Sequence, residues 1–256
     1  MTQEPLDEKG RPYHIRLEKR QVGSIAFLPG DPARVARIAQ RLTRPEQLSS
    51  NREFTAYGGY VGKERIVVIS TGIGGPATAI VVEELARLGV RTMIRVGTCG
   101  AITSRAKVGS VIIADAAVRM DGTSALYVQR GYPAAATPGI VMALSHAARK
   151  LKVQGTVGIA ASTDSFYVGQ GRKGFGGYFP PESAGITKRL QQARVLCFEM
   201  EAATLFTLGR LFGLQTGAVF AVVANRATNE FKLGSGIDAA IDVAVGSVRH
   251  FKKYGV

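Results

Sequence analysis

Residues 66–102 read IVVISTGIGGPATAIVVEELARLGVRTMIRVGTCGAI, and their pattern decides the fold. Two β-type apolar runs, Ile66–Ile69 and Met93–Val96, each lead into a glycine-rich turn that carries hydroxyls. The first turn is Ser70-Thr71-Gly72-Ile73-Gly74-Gly75 and the second is Gly97-Thr98-Cys99-Gly100. Between them, Ala79, Val82, Leu85 and Ala86 share one face of a helix expected over Pro76–Leu88. Glycine lets a backbone approach a ligand closely, and free amides at a turn or helix start attract anions. Arg95 lies inside the second apolar run, where a charge is costly without a partner. A structural ion pair would satisfy it, and so would an anion held against the glycine turn. An anion-binding pocket accounts for more of the pattern.

The same strand-then-turn grammar extends in both directions. Ser24–Leu28 is a short apolar run followed by Pro29-Gly30-Asp31-Pro32, then a helix with Val35, Ile38, Ala39 and Leu42 on one face. Asp31 suits its cap and Pro32 its first turn. Phe54–Val61 and Arg65–Ile69 read as a hairpin around Gly62-Lys63. Further on come a strand over Val111–Val118, a helix over Pro138–Leu151 and a strand over Val157–Ala161 that runs into Ser162-Thr163-Asp164-Ser165-Phe166. The glycine-rich, basic segment Gly169–Tyr178 reads as a mobile loop fit to act as a lid. Val195–Phe198 is a strand entering Glu199-Met200-Glu201, followed by a helix over Ala202–Phe212, a strand over Thr216–Val223 and a closing helix over Gly236–Lys253. Strands alternating with helices give an α/β layer structure around a largely buried sheet. No Pro/Ser linker divides the chain, so residues 1–256 are read as one domain.

The totals narrow the function classes. A chain of 256 residues, 46% hydrophobic with 31 glycines, is long enough for one large core with many tight turns. Cys99 and Cys197 lie far apart in apolar surroundings, and His14, His146 and His250 show no metal-ligand spacing. The polar start and the absence of an unbroken apolar span lead to the expectation of a soluble, cytoplasmic protein with no membrane partner. A net charge of +14 raises nucleic-acid binding. The basic residues are spread singly, however, and the two dense groups, Arg16–Arg20 and Arg249–Lys253, carry no aromatic platform. A small anionic substrate uses the same charge and fits the glycine turns better. No Gly-x-Ser-x-Gly, HExxH or P-loop motif appears, and the Gly-x-Gly-Gly turn lacks the full dinucleotide fingerprint.

Arg34, Arg52 and Arg95 sit in turns or near strand ends, and a guanidinium presents a planar fork matched to phosphate. Glu199-Met200-Glu201 brings two acids to a strand–helix junction between apolar flanks. They are either partners of the helix dipole or carboxylates aimed at a hydroxyl or cation, and vicinal ribose hydroxyls suit such a carboxylate. Gln170 and Arg172, with Phe166 upstream, offer an amide and a guanidinium to read a planar base edge and a ring to stack on it. Asn225-Arg226 is another polar pair at a strand end, where ligand sites of α/β folds lie.

Together these motifs resemble the nucleoside phosphorylase family. The resemblance runs from about Tyr13 to the end of the chain. It is carried by Phe27-Leu28-Pro29-Gly30-Asp31-Pro32, Arg52-Glu53-Phe54-Thr55, Ser70–Pro76, Arg95–Ala101, Ser162–Gly169 with Gln170 and Arg172, Glu199–Thr204 and Asn225-Arg226. It implies the phosphorylase/hydrolase-like fold: three α/β/α layers around a mixed, partly barrel-like sheet. The implied activity is reversible phosphorolysis of uridine, with deoxyuridine and thymidine as further candidates, in pyrimidine salvage. By the same resemblance, Gly30, Arg34, Arg95 and Thr98 hold phosphate, joined by Arg52 from a neighbouring subunit. Met200 and Glu201 hold the ribose, with the neighbour's His14 at the 5′-hydroxyl. Thr98, Gly100, Phe166, Gln170, Arg172 and Arg226 surround the base. Arg95, Glu201, Gln170 and Arg172 are the groups expected to act on the transition state. A site shared between subunits implies a homo-oligomer, in this family a hexamer built as three dimers.

The implied enzyme needs no cofactor and no metal, since phosphate is itself the nucleophile and co-substrate. Two departures stand out. The second threonine of the family's Gly-Thr-Thr-Gly turn is Cys99 here. Some relatives bind a monovalent cation between subunits through a glutamate matching Glu53 and a serine, and that serine is Ala77 here, which counts against the cation. The rival inside the family is an enzyme acting on purine nucleosides or methylthioadenosine. Such enzymes carry an aspartate where this chain has Asn225, and asparagine cannot act as that acid. A rival of another class is a basic nucleic-acid-binding module, which leaves the glycine turns and the acid pair unexplained.

Overall fold

The stretch 66–102 folds as the strand–helix–strand unit its pattern implies, within a computed structural model that describes residues 5–256. In chain order the elements are β1 (Ile25–Leu28), α1 (Pro32–Ala39), β2 (Thr43–Asn51), β3 (Phe54–Val61), β4 (Glu64–Ile69), α2 (Gly75–Leu88), β5 (Thr92–Ala101), β6 (Val111–Met120), α3 (Thr123–Tyr127), β7 (Ala134–Ala135), α4 (Pro138–Lys150), β8 (Gly155–Thr163), α5 (Ile186–Gln192), β9 (Cys197–Glu199), α6 (Ala202–Leu211), β10 (Gln215–Asn225), β11 (Glu230–Phe231) and α7 (Ile237–Ser247). Helix α1 starts where the sequence marks it: Asp31 accepts from the Ala33 amide at 2.9 Å and Pro32 opens the first turn.

Period-two alternation divides the core between two faces. Ile25 and Phe27 of β1, Ile66 and Val68 of β4, and Ile94 and Val96 of β5 pack under α1, α4 and α7. Their neighbours Ala26, Leu28, Val67, Ile69 and Met93 pack under α2 and α6, against Val81, Leu85, Leu205 and Phe206. Helices therefore cover both faces, as strands apolar on both sides require. The result is the expected three-layer α/β/α arrangement.

The mixed sheet runs β2-β3-β4-β1-β5-β9-β8-β6-β10-β11, with β7 beside β6. Strand β10 also pairs with β5, so β5, β9, β8, β6 and β10 close into a five-stranded barrel, the partly barrel-like sheet the resemblance implies. Strand β5 is a fork. Along one edge it pairs with β10 from Thr92 to Ala101. Along the other it pairs with β1 from Thr92 to Arg95 and with β9 only at Gly100 and Ala101. Residues 96–99 therefore have no ladder partner on that edge, and the chain leaving β1 turns away there through Pro29 and Gly30.

Two expectations are corrected. The turn expected at Gly97–Gly100 is strand, because β10 supplies a parallel partner along its whole length. The closing helix stops at Ser247, and the segment to Tyr254 consists of 3₁₀ turns. Strands β2, β7 and β11 and helices α3 and α5 were not expected. The glycine-rich segment after β8 contains short 3₁₀ turns, Val168–Gln170 and Phe175–Gly177, with Phe175 fully exposed. Among the described residues no helix is long and apolar enough to cross a membrane.

Candidate active site

A cavity of about 780 Å³ opens at the fork of β5. The loop after β1 and the start of α1 contribute Gly30, Asp31, Pro32 and Arg34. The loop after β4 and the first turns of α2 contribute Gly72, Ile73 and Ala77, and β5 itself contributes Arg95, Thr98, Cys99 and Gly100. Phe166, Gln170 and Arg172 come from the segment after β8; Phe198, Glu199, Met200 and Glu201 from β9 and the approach to α6. Glu53, Val223, Ala224 and Phe231 complete the wall. Strands β1, β4, β5 and β8 present their C-terminal ends here, the side on which α/β sheets bind ligands.

Arg95 has two partners. Its Nη2 lies 2.5 Å from Glu201 Oε2, and its Nη1 donates to Thr71 Oγ1 at 3.1 Å. Its Nε is buried without a partner among the described residues. A Cβ on Gly30 would lie 3.2 Å from Arg95 Nη2 and 3.0 Å from the Gly72 carbonyl oxygen, so the bare backbone at Gly30 permits the close approach. Arg34 stands alongside and donates from Nη1 to the Val96 carbonyl at 3.2 Å, on the unpaired edge of β5. Burial, and then the charge of Arg95, lowers the Arg34 pKa. Two desolvated guanidiniums with a single directly bonded carboxylate leave positive charge to be satisfied, which is the electrostatic condition for an anion.

The two acids of Glu199-Met200-Glu201 divide between the alternatives open at the sequence level. Glu199 Oε2 accepts from the amides of Glu201 and Ala202, each at 2.9 Å, and so serves the start of α6. Its other oxygen accepts from Ser162 Oγ, which in turn accepts from the Ala203 amide at 2.8 Å. Burial, then the charge of Glu201, raises the Glu199 pKa against the opposing pull of Arg95 and Ser162. Glu201 takes the other role. It holds Arg95 with one oxygen and accepts from the Gly74 amide at 2.7 Å with the other.

Gln170 is buried, and two arginines fix its carboxamide. Arg172 Nη1 donates to its Oε1 at 2.7 Å and Arg226 Nη2 at 3.1 Å, while Arg226 Nη1 donates to its backbone carbonyl. Arg172 also donates to the Phe166 carbonyl at 2.8 Å and lies 4.4 Å from that ring's centre; Arg226 lies 4.9 Å from the centre of Phe198. Burial, then the charge of Arg172, depresses Arg226 to about 10. Arg226 thus supports Gln170 from outside the cavity lining. Asn225 is spent on structure: it donates to the carbonyls of Thr103 and Ala106 and accepts from the Ala227 amide.

His14 and Arg52 are not among the residues lining this cavity. They share a separate patch, where Arg52 Nη2 donates to the Tyr13 hydroxyl at 3.3 Å and the rings of Tyr13 and His14 meet edge to face, centroids 5.0 Å apart. The sequence reading missed Thr71 as the partner of Arg95, and also Ile73, Phe198 and Phe231 in the wall. Thr71 lay in a quoted motif, but nothing local distinguishes its hydroxyl from that of Ser70. Glu53 and Ala77 both line the cavity, and the Ala77 methyl offers no oxygen to a cation. Among the described residues no group of three His, Cys, Asp or Glu side chains is placed to hold a metal ion.

The family model described as Phosphorylase superfamily matches residues 24–245. A uridine phosphorylase of Thermococcus kodakarensis is 48% identical over 240 residues, covering 94% of this chain and 87% of that protein. A uridine phosphorylase of Haemophilus influenzae is 44% identical over 239 residues, covering 92% and 95%. A guanosine phosphorylase of Halorubrum lacusprofundi is 37% identical over 212 residues, covering 83% of each.

Proposed function

The chain belongs to the phosphorylase superfamily, and from that premise we propose that it catalyses the reversible phosphorolysis of uridine to uracil and ribose 1-phosphate. One observation carries the assignment. A single cavity is lined by a pair of guanidiniums (Arg34, Arg95), a carboxylate (Glu201) and an amide–guanidinium–ring set (Phe166, Gln170, Arg172). These are the complements of phosphate, ribose hydroxyls and a pyrimidine.

Phosphate sits against Gly30, Arg34, Arg95 and Thr98, and its alignment with C1′ converts the attack into an effectively intramolecular step. Glu201 has used one acceptor site on each oxygen, for Arg95 and Gly74, and a carboxylate offers about four, which leaves room for two ribose hydroxyls. Met200 packs beside the sugar. As the glycosidic bond breaks, positive charge grows on the ribose, where the phosphate dianion and Glu201 stabilise it. Negative charge grows on the departing uracil, where Arg172 and the Gln170 amide receive it, with Thr98, Gly100 and Phe166 completing the base pocket. Both lone pairs of Gln170 Oε1 are taken by arginines, so its NH₂ is the group ready for a uracil carbonyl. Acceptance from N3–H requires one guanidinium to move aside.

His14 and Arg52 belong to the reading as residues given to a neighbouring subunit's cavity, and their shared patch outside this chain's own cavity supports that role. The assembly is a hexamer of three dimers. The enzyme works in the cytoplasm, where two buried free thiols are at home, and it uses no cofactor, while Ala77 counts against an interfacial cation. The test is a nucleoside panel assayed with and without phosphate. Uridine is cleaved with higher kcat/KM than inosine or adenosine, and only with phosphate present. Faster cleavage of a purine nucleoside would overturn the base assignment.

A further inference from the structure

Glu84 is a carboxylate in the second half of α2, 4% exposed, and it does not line the cavity. Among the described residues, its three hydrogen bonds all go to the His14 segment. Oε2 accepts from the Ile15 amide at 2.9 Å; Oε1 accepts from the His14 amide at 3.3 Å and lies 2.7 Å from His14 Nδ1. The Asn51 amide fixes the same segment by donating to the His14 carbonyl at 2.8 Å. The ring is held edge-on between Tyr13 and Phe54, its side chain is 24% exposed, and Nε2 has no partner among the described residues.

We propose that Glu84 is a positioning residue that fixes the His14 tautomer, placing the hydrogen on Nδ1 and presenting the Nε2 lone pair outward as an acceptor. An ionised carboxylate only accepts, so the nitrogen facing it must carry the hydrogen. A hydrogen bond at one imidazole nitrogen decides what the other can do. The inference rests on the reading above, in which His14 meets the 5′-hydroxyl of a nucleoside bound in a second copy of the chain. It specifies the chemistry of that meeting: the nucleoside hydroxyl donates and His14 accepts. The two backbone contacts show why the carboxylate is buried here. It holds the position of the loop and the protonation pattern of the ring together.

Glu84→Gln is the informative change, because it keeps size and one acceptor oxygen but can turn an NH₂ toward Nδ1. That would drive the hydrogen to Nε2 and convert His14 from acceptor to donor. The expected result is a loss of kcat/KM for uridine of about five- to thirtyfold, the scale of one good hydrogen bond. Cleavage of 5′-deoxyuridine, which lacks the hydroxyl, should stay within about twofold of the unaltered enzyme on the same scale. Glu84→Asp, which retains an acceptor-only group, restores part of the uridine activity. In a His14→Ala background, Glu84→Gln costs nothing further. Nitrogen-15 NMR of the imidazole reads the tautomer without any substrate: hydrogen on Nδ1 in the unaltered protein, on Nε2 in Glu84→Gln. Equal losses on both nucleosides, or hydrogen on Nε2 in the unaltered protein, whether as that tautomer or as the imidazolium, would overturn the proposal. If the unaltered protein fails to cleave uridine at all, the functional reading falls, and the NMR measurement still decides the role of Glu84.

Discussion

Arg95 spends one nitrogen on Glu201 and another on Thr71, and its buried Nε remains without a partner among the described residues. Replacing it by alanine removes the guanidinium and strands the Glu201 carboxylate in a dry wall. Arg95→Ala should lose about 2–5 kcal/mol of transition-state stabilisation, the scale for breaking a buried charge pair, read as kcat/KM for phosphate. Circular dichroism checks that the variant folds, and a folded variant of near-normal activity would remove Arg95 from the site. The base end is tested by Gln170→Leu, which leaves polar base edges unpaired at about 1–3 kcal/mol per group. Uridine kcat/KM should fall while phosphate affinity stays close to normal; a parallel loss of both would make Gln170 a structural residue. Arg95 was legible in the sequence because a charge inside an apolar run demands a partner. Glu84 was not. An acid on an amphipathic helix looks like a solvated one until a segment 69 and 70 residues upstream folds onto it.

At the scale of elements, the strands that build the site were legible and their boundaries less so. β1, β4 and the first half of β5 are apolar on both faces, which only a doubly covered sheet explains. The second half of β5, Gly97–Gly100, carries turn chemistry yet stays extended, because pairing with β10 outweighs local preference. β2, TRPEQLSSN, has no buried residue and no apolar period, and it exists only because β3 offers it an edge. The closing turns pack on α4 through a pair of histidines. The rings of His146 and His250 lie 4.1 Å apart between centroids, and His146 Nδ1 is 2.9 Å from the Tyr254 hydroxyl. Burial first, and then Lys253, Arg149 and Lys150, lower the His146 pKa; burial, then His146, Lys150, Lys253 and Arg249, lower that of His250. Imidazoles depressed in the folded state bind fewer protons there than in the unfolded chain. Their contribution to stability is therefore whole above the ordinary value of 6.5 and is lost as pH falls through the lowered folded values. The fall in Tm between about pH 7.5 and about pH 5 should shrink in a His146→Gln, His250→Gln double variant. An unchanged fall would place the acid sensitivity elsewhere.

At the scale of the whole molecule, the cavity of one chain holds most of the groups the proposed reaction needs, while His14 and Arg52 stand together on another patch. Sequence motifs identified both sets, but the separation between them is a property of the fold, set by how residues 13–15 dock on α2 through Glu84. If the second set serves a neighbour, His14→Ala and Arg95→Ala should each lose activity alone and regain part of it when co-assembled, since the cavity of the His14→Ala chain keeps Arg95 and receives a native His14 from its partner. Mixtures no more active than either parent would mean that each site is built from one chain. The most direct test of phosphorolysis itself is phosphorus-31 NMR of the enzyme acting on uridine in inorganic phosphate. Arg34, Arg95 and Glu201 in one cavity require that each uracil released be matched by one ribose 1-phosphate, at the expense of the phosphate signal. Uracil appearing with free ribose and an undiminished phosphate signal would contradict it.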